Sequence, residues 1–99
     1  MRFLDVDVIH LMDTSGNLTP TIIGNEEPVT EVKDLLNANR LSVIRDFDQD
    51  IAYIFDYDGP LMCKQMNYAV PQVIPDQIVC GVVAVVKLEI LKTWRLRYL

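Results

Sequence analysis

The last third of the chain constrains the fold most. Ile78 to Val86 is an apolar run interrupted only by Gly81, and polarity then alternates towards the C-terminus. Val86, Leu88, Ile90, Trp94, Leu96 and Tyr98 fall on one parity; Lys87, Glu89, Thr93, Arg95 and Arg97 fall on the other. A repeat of two is the period of a β-strand. The pattern predicts a terminal strand, with bends at Gly81 and at the parity break Leu91/Lys92. An apolar strand face must be covered by another sheet or another chain. Val86, Leu88, Ile90, Trp94, Arg95, Leu96, Arg97 and Tyr98 are therefore the expected interface, and a homodimer is the expected assembly, since two-fold association is the commonest closed solution.

Upstream, the spacing predicts strands at Arg2–Met12 and Leu18–Ile23, joined by the turn residues Asp13-Thr14-Ser15-Gly16-Asn17. Pro20 places the second of these at an edge or bulge. Glu26, Glu27 and Pro28 suit a helix start, where acids meet the positive end of the dipole and proline loses no hydrogen bond. The helix is expected over about 28–38, with Val29, Val32, Leu35 and Leu36 as its apolar stripe. Leu41–Phe47 and Ile51–Asp56 read as a hairpin about a three-residue turn, Asp48-Gln49-Asp50. That register puts Val43, Phe47, Ile51, Tyr53 and Phe55 on one core-facing side. Leu61–Met66 reads as a shorter strand, and residues 67–77, with Pro71 and Pro75, as an irregular connection. The expected fold is α+β, one domain over 1–99. It is a mostly antiparallel sheet of five to six strands with one helix on one face, in the order β-β-α-β-β-β-β. The second face of so short a chain's sheet needs cover, and a partner subunit is the economical source.

Composition narrows function by exclusion. With 51% apolar and 23% charged residues, the chain is an ordinary folded protein rather than a disordered one. Its longest apolar run is about half of what a membrane helix needs, and acids occupy the N-terminal positions where a signal peptide would be apolar. No membrane contact and a cytoplasmic location, or host cytoplasm for a viral protein, are the expectation. A net charge of −5 disfavours direct binding to nucleic acid, which phosphate neutralisation drives. The charge is uneven. Residues 1–86 hold five Lys/Arg against thirteen Asp/Glu (−8), and residues 87–99 hold four against one (+3). A basic end on an acidic body suits self-association or a docked tail; equally, it protects an edge strand from aggregation. Cys63 and Cys80 lack metal-ligand spacing and read as free thiols. His10 is the only histidine and cannot build a typical zinc site alone. Asn17-Leu18-Thr19 matches a glycosylation acceptor, which has no meaning without secretion. Neither a metal nor a cofactor is expected.

Three short motifs bear on chemistry. Tyr53-Ile54-Phe55-Asp56-Tyr57-Asp58-Gly59-Pro60-Leu61 resembles the opening motif of haloacid-dehalogenase-type phosphatases. The resemblance implies Asp56 as nucleophile, Asp58 as general acid and Mg²⁺ between carboxylates. It covers nine residues, has Pro60 where that family usually has Thr, and leaves forty residues after Gly59 for the family's later lysine and acidic pair. Leu11-Met12-Asp13-Thr14-Ser15-Gly16 is similar to the Asp-Thr-Gly signature of aspartic proteases, which would make Asp13 half of a carboxylate dyad; here Ser15 intervenes before the glycine. Asp46-Phe47-Asp48-Gln49-Asp50 is similar to the first half of an EF-hand loop, but Ile51 and Tyr57 stand where that loop needs Gly and Glu. All three are also what turns are made of.

The expectation is a binding or assembly module with a homodimeric or other protein partner, not an enzyme. One alternative is an acidic inhibitor presenting Asp46, Asp48, Asp50, Asp56 and Asp58 as a phosphate surrogate; small size and acidity suit accessory proteins of viruses and mobile elements. The other alternative is a metal-dependent phosphohydrolase using Asp56 and Asp58.

Overall fold

The computed structural model describes residues 6–24, 27–62, 64–70 and 78–94. Its elements are β1 (Val6–Met12), β2 (Leu18–Gly24), α1 (Pro28–Leu36), β3 (Leu41–Asp46), β4 (Ile51–Asp56), β5 (Val83–Lys87) and α2 (Leu88–Leu91). The fold is α+β. The five strands form one sheet in the order β2-β1-β5-β4-β3, and every neighbouring pair is antiparallel. Two hairpins form the flanks, and the last strand inserts between them.

That insertion explains the apolar run. A central strand is buried on both faces, so it loses the alternation of a half-exposed one. Val83, Ala84 and Val86 are all buried, and β4 beside it is buried from Ala52 to Asp56. One face of the sheet carries α1 and α2 over Ile9, Ile23, Leu41, Ala52, Ile54, Ala84 and Val86. On the other face, Val70 and Val79 of the β4–β5 connection pack against Met12, Ile44, Tyr53, Phe55 and Val83. The chain thus covers part of the second face itself, where the sequence suggested a partner subunit.

The helix begins at Pro28 as expected and buries Pro28, Val32 and Leu36, while Leu35 stays 41% exposed. It stops two residues before the expected end. Asn37 takes a left-handed conformation, φ 51°, and Ala38 N–H donates to Lys33 O at 2.9 Å, a Schellman-type close. Asparagine tolerates this conformation because its short polar side chain bonds locally.

Four expectations are corrected. The terminal alternation does not continue as a strand: β5 ends at Lys87 and α2 follows. Leu88, Leu91 and Trp94, spaced by three, turn one side into the core, where all three are buried. Val86 and Ile90 belong to the same core. Four of the expected interface residues, Val86, Leu88, Ile90 and Trp94, are thus packed within the chain; Arg95, Leu96, Arg97 and Tyr98 lie outside the described residues. Second, the described residues of Leu61–Met66 form no strand; turns run through Met62, and among them only the isolated bridge Met66↔Cys80 remains. The irregular stretch expected at 67–77 is described only to Val70. Third, the observed order is therefore β-β-α-β-β-β-α.

The fourth concerns register. The β3–β4 turn has four residues, 47–50, so Asp46 pairs with Ile51 and Val43 with Ile54. A shift of one residue moves a strand's whole set to the other face. Ile44, not Val43, shares the face of Tyr53, and Phe47 lies out in the turn, 76% exposed. Asp50 at φ 57° supplies the left-handed position that usually takes glycine, and Asp46 Oδ1 accepts the Gln49 N–H at 3.2 Å.

Candidate functional site

The D-x-D-G turn closes β4 with its carboxylates already engaged. Asp56 is 2% exposed. Its Oδ1 accepts the Asp58 N–H at 2.9 Å, the local bond of an Asx-type turn. Its Oδ2 lies 2.8 Å from Lys64 Nζ, its only partner among the described residues. The same ammonium donates to Leu36 O at 2.8 Å and Asn37 O at 3.0 Å, the last carbonyls of α1. Gly59 is needed for close approach: a Cβ there would lie 3.0 Å from the Cβ of buried Cys80. Asp58 is held by the Arg40 guanidinium in a two-point pair, Nε to Oδ2 at 3.1 Å and Nη2 to Oδ1, and Arg40 also stacks 4.5 Å over the Tyr57 ring. Those bonds hold the Asp58 carboxyl below its ordinary value and raise the Arg40 guanidinium. A phosphoryl acceptor must present a free carboxylate at an open strand end; here one carboxylate is buried in an ion pair and the other is clamped.

Asp13 is engaged in the same way. Its Oδ1 accepts the N–H groups of Ser15 and Asn17, both at 2.9 Å, and its Oδ2 the Asn17 amide at 3.2 Å. These bonds, led by Asn17, lower its pKa. The carboxylate that the protease resemblance would make catalytic organises the β1–β2 turn.

The five acids proposed as a charged surface do not come together. Asp46, Asp48 and Asp50 sit at the β3–β4 turn, and Asp56 and Asp58 at the opposite end of β4, about 17 Å away by strand rise. Among the described residues, no three His, Cys, Asp or Glu side chains are grouped to hold a metal ion, and no helix is long and apolar enough to cross a membrane.

What the structure leaves open is one half of the sheet's second face. On β1 and β2 the pairs Val8↔Ile22, His10↔Pro20 and Met12↔Leu18 place six side chains on one side. Met12 is buried under the β4–β5 connection, but Val8, Leu18 and Ile22 are 51%, 56% and 69% exposed. No acidic residue, lysine or arginine interrupts them. The sequence concealed this surface. Val8 and Ile22 read as ordinary core-strand residues, and only the sheet order shows that α1 covers their strands from the other side.

Asn67 is a second residue that sequence reasoning passed over. Buried, it donates from Nδ2 to Asp13 O and Gly81 O at 3.2 and 3.0 Å, and its Oδ1 accepts the Ala69 N–H at 3.0 Å. It thereby ties the β4–β5 connection to the ends of β1 and β5. Under that connection, burial raises the Cys80 thiol above 9.0, and burial, then the Asp46 charge, raises the Tyr53 phenol above 10.0. Both groups fold neutral, so their contribution is complete below the unfolded values and is lost as pH climbs through the raised ones. Stability is expected to fall as pH rises past the ordinary values of these two groups, and Tyr53→Phe to flatten part of that fall in urea titrations. A stability that stays flat through that alkaline range would contradict this burial.

Comparison with protein-family models, curated proteins and solved structures finds no match to this chain.

Proposed function

We propose that the chain is a small assembly module whose contact surface is the open β1–β2 face, and that its first partner is a second copy of itself. The observation that carries this reading is the trio Val8, Leu18 and Ile22, all on one face and each more than half exposed, Val8 paired with Ile22 and Leu18 beyond the intervening His10–Pro20 pair. Apolar side chains grouped in this way, rather than scattered, mark contact sites. Charge selects the partner. A body of net charge −5 repels its own copy across most of its surface. Among the described residues this face holds one titratable side chain, His10, so two copies can meet there without opposing like charges. The contact thus moves from the C-terminal segment, where Val86, Leu88 and Trp94 are core, to the first hairpin.

The edge of β2 is a poorer choice than its face, because Pro20 removes a donor from any added ladder. The open face is about 24 Å long and two strands wide, well under the ~800 Å² per partner of a standard interface. The dimer is therefore a weak, concentration-dependent one. Light scattering over a dilution series is expected to show the wild-type mass rising towards twice the chain mass, and Ile22→Lys to hold it at one. Ile22 is exposed, so the variant's thermal midpoint should stay within a few degrees. A wild type that remains monomeric at millimolar concentration overturns the reading.

A further inference from the structure

We infer that the chain carries a binding site for a small apolar monocarboxylate between β3 and α2, independent of the dimer reading. A groove of about 270 Å³ opens there. Phe47, Leu88, Leu91 and Trp94 supply apolar walls, and Arg45 and Lys92 stand at its rim. Pockets that hold organic ligands have this build, apolar walls with a few convergent polar groups, and this volume lies just below their usual range. It suits one aromatic ring or branched aliphatic group bearing a single head group.

Charge sets the head group. Arg45 and Lys92 are both exposed, and among the described residues neither forms an ion pair or side-chain hydrogen bond. The other cations that meet carboxylates, Arg40 and Lys64, are committed to Asp58 and Asp56. Two uncommitted cations facing one groove, in a chain of net charge −5, recruit an anion. Asp50 also lines the groove, so its lining residues carry one net positive charge, while the Asp7 carboxylate is tied to the Trp94 indole N–H. That balance accepts one carboxylate and penalises a dianion such as a phosphate monoester. The walls are firm where they need to be: the Trp94 indole N–H donates to Asp7 Oδ2 at 3.2 Å, and Leu88 N–H to Asp50 O at 3.0 Å. Phe47 is the adaptable wall, mostly exposed in the turn.

Trp94 is the only tryptophan, so intrinsic fluorescence reports on the groove. The full chain is titrated with N-acetyl-phenylalanine and, in parallel, with its uncharged amide. The acid is expected to give a saturable change with a millimolar Kd, and the amide to bind at least tenfold more weakly. Arg45→Gln with Lys92→Gln should weaken the acid by tenfold or more, and Phe47→Ser by at least threefold. Lys87→Gln, which removes a cation from the opposite face, should leave it unchanged. All four positions are exposed, and an unchanged thermal midpoint shows that each variant is folded. Acid and amide binding alike, no saturable change, or a double variant that binds as the wild type each overturns the site.

Discussion

Lys64→Ala is expected to be among the most damaging single changes in this chain, lowering folding stability by about 3 kcal/mol. The ammonium has three partners within 3.0 Å: it donates to the carbonyls of Leu36 and Asn37 and forms an ion pair with Asp56 Oδ2. Truncation leaves a carboxylate that is 2% exposed without its counter-charge, and two helix-end carbonyls without that donor. Removing one partner of a buried pair costs far more than the pair contributes, because the survivor stays desolvated. In a domain of this size that corresponds to a thermal midpoint lower by about 12–24 °C. The damage should be repaired by removing the other charge as well: Lys64→Met with Asp56→Asn is expected to recover most of the loss. Chemical denaturation of the three variants checks both statements. A Lys64→Ala protein within 1 kcal/mol of wild type would mean that the carboxylate is hydrated and the D-x-D-G turn is not locked.

Trp94→Ala is expected to cost about 3–5 kcal/mol, the range for emptying an aromatic side chain from a packed core. Trp94 is buried among Leu88, Leu91 and the sheet residues beneath them, and its indole N–H is paired with Asp7 across 87 positions of chain. Its loss opens a cavity and frees α2 from the sheet. A core tryptophan and an interface tryptophan make different predictions here. Emptying the core lowers stability equally at every protein concentration, whereas emptying a contact lowers it only where the assembly forms. Urea titrations at 2 µM and at about 200 µM separate the two. A loss confined to the higher concentration would return Trp94 to the surface.

The two residues illustrate what was legible in the chain. Asp56 sits in a motif whose turn chemistry can be read directly, and the turn is there. Its neutralisation by Lys64 could not be read, because the ammonium's other two contacts lie 27 and 28 positions away and no local pattern encodes such a meeting. Trp94 reads equally well as the end of an alternating strand or as the third member of the set Leu88, Leu91, Trp94. Short stretches satisfy both periods, and packing arbitrates. The sequence pointed to the hairpin of β3 and β4 but not its register. The turn could close with three residues or four, and Asp50 accepts the left-handed conformation that the longer turn needs.

By itself the sequence determined the local elements: two hairpins, a helix that starts at Pro28, and a last strand rich in valine. These follow from periodicity, turn residues and end preferences, which act over a few positions. Tertiary structure alone decided where that last strand goes. Once β5 lies between β1 and β4, both its parities are buried, the alternation beyond Lys87 is released into α2, and the helices cover one face. The β4–β5 connection reaches part of the other, and Val8, Leu18 and Ile22 are left open. The cause is non-local: a strand's own pattern records how much of it is buried, but its neighbours in the sheet decide which faces remain for contact.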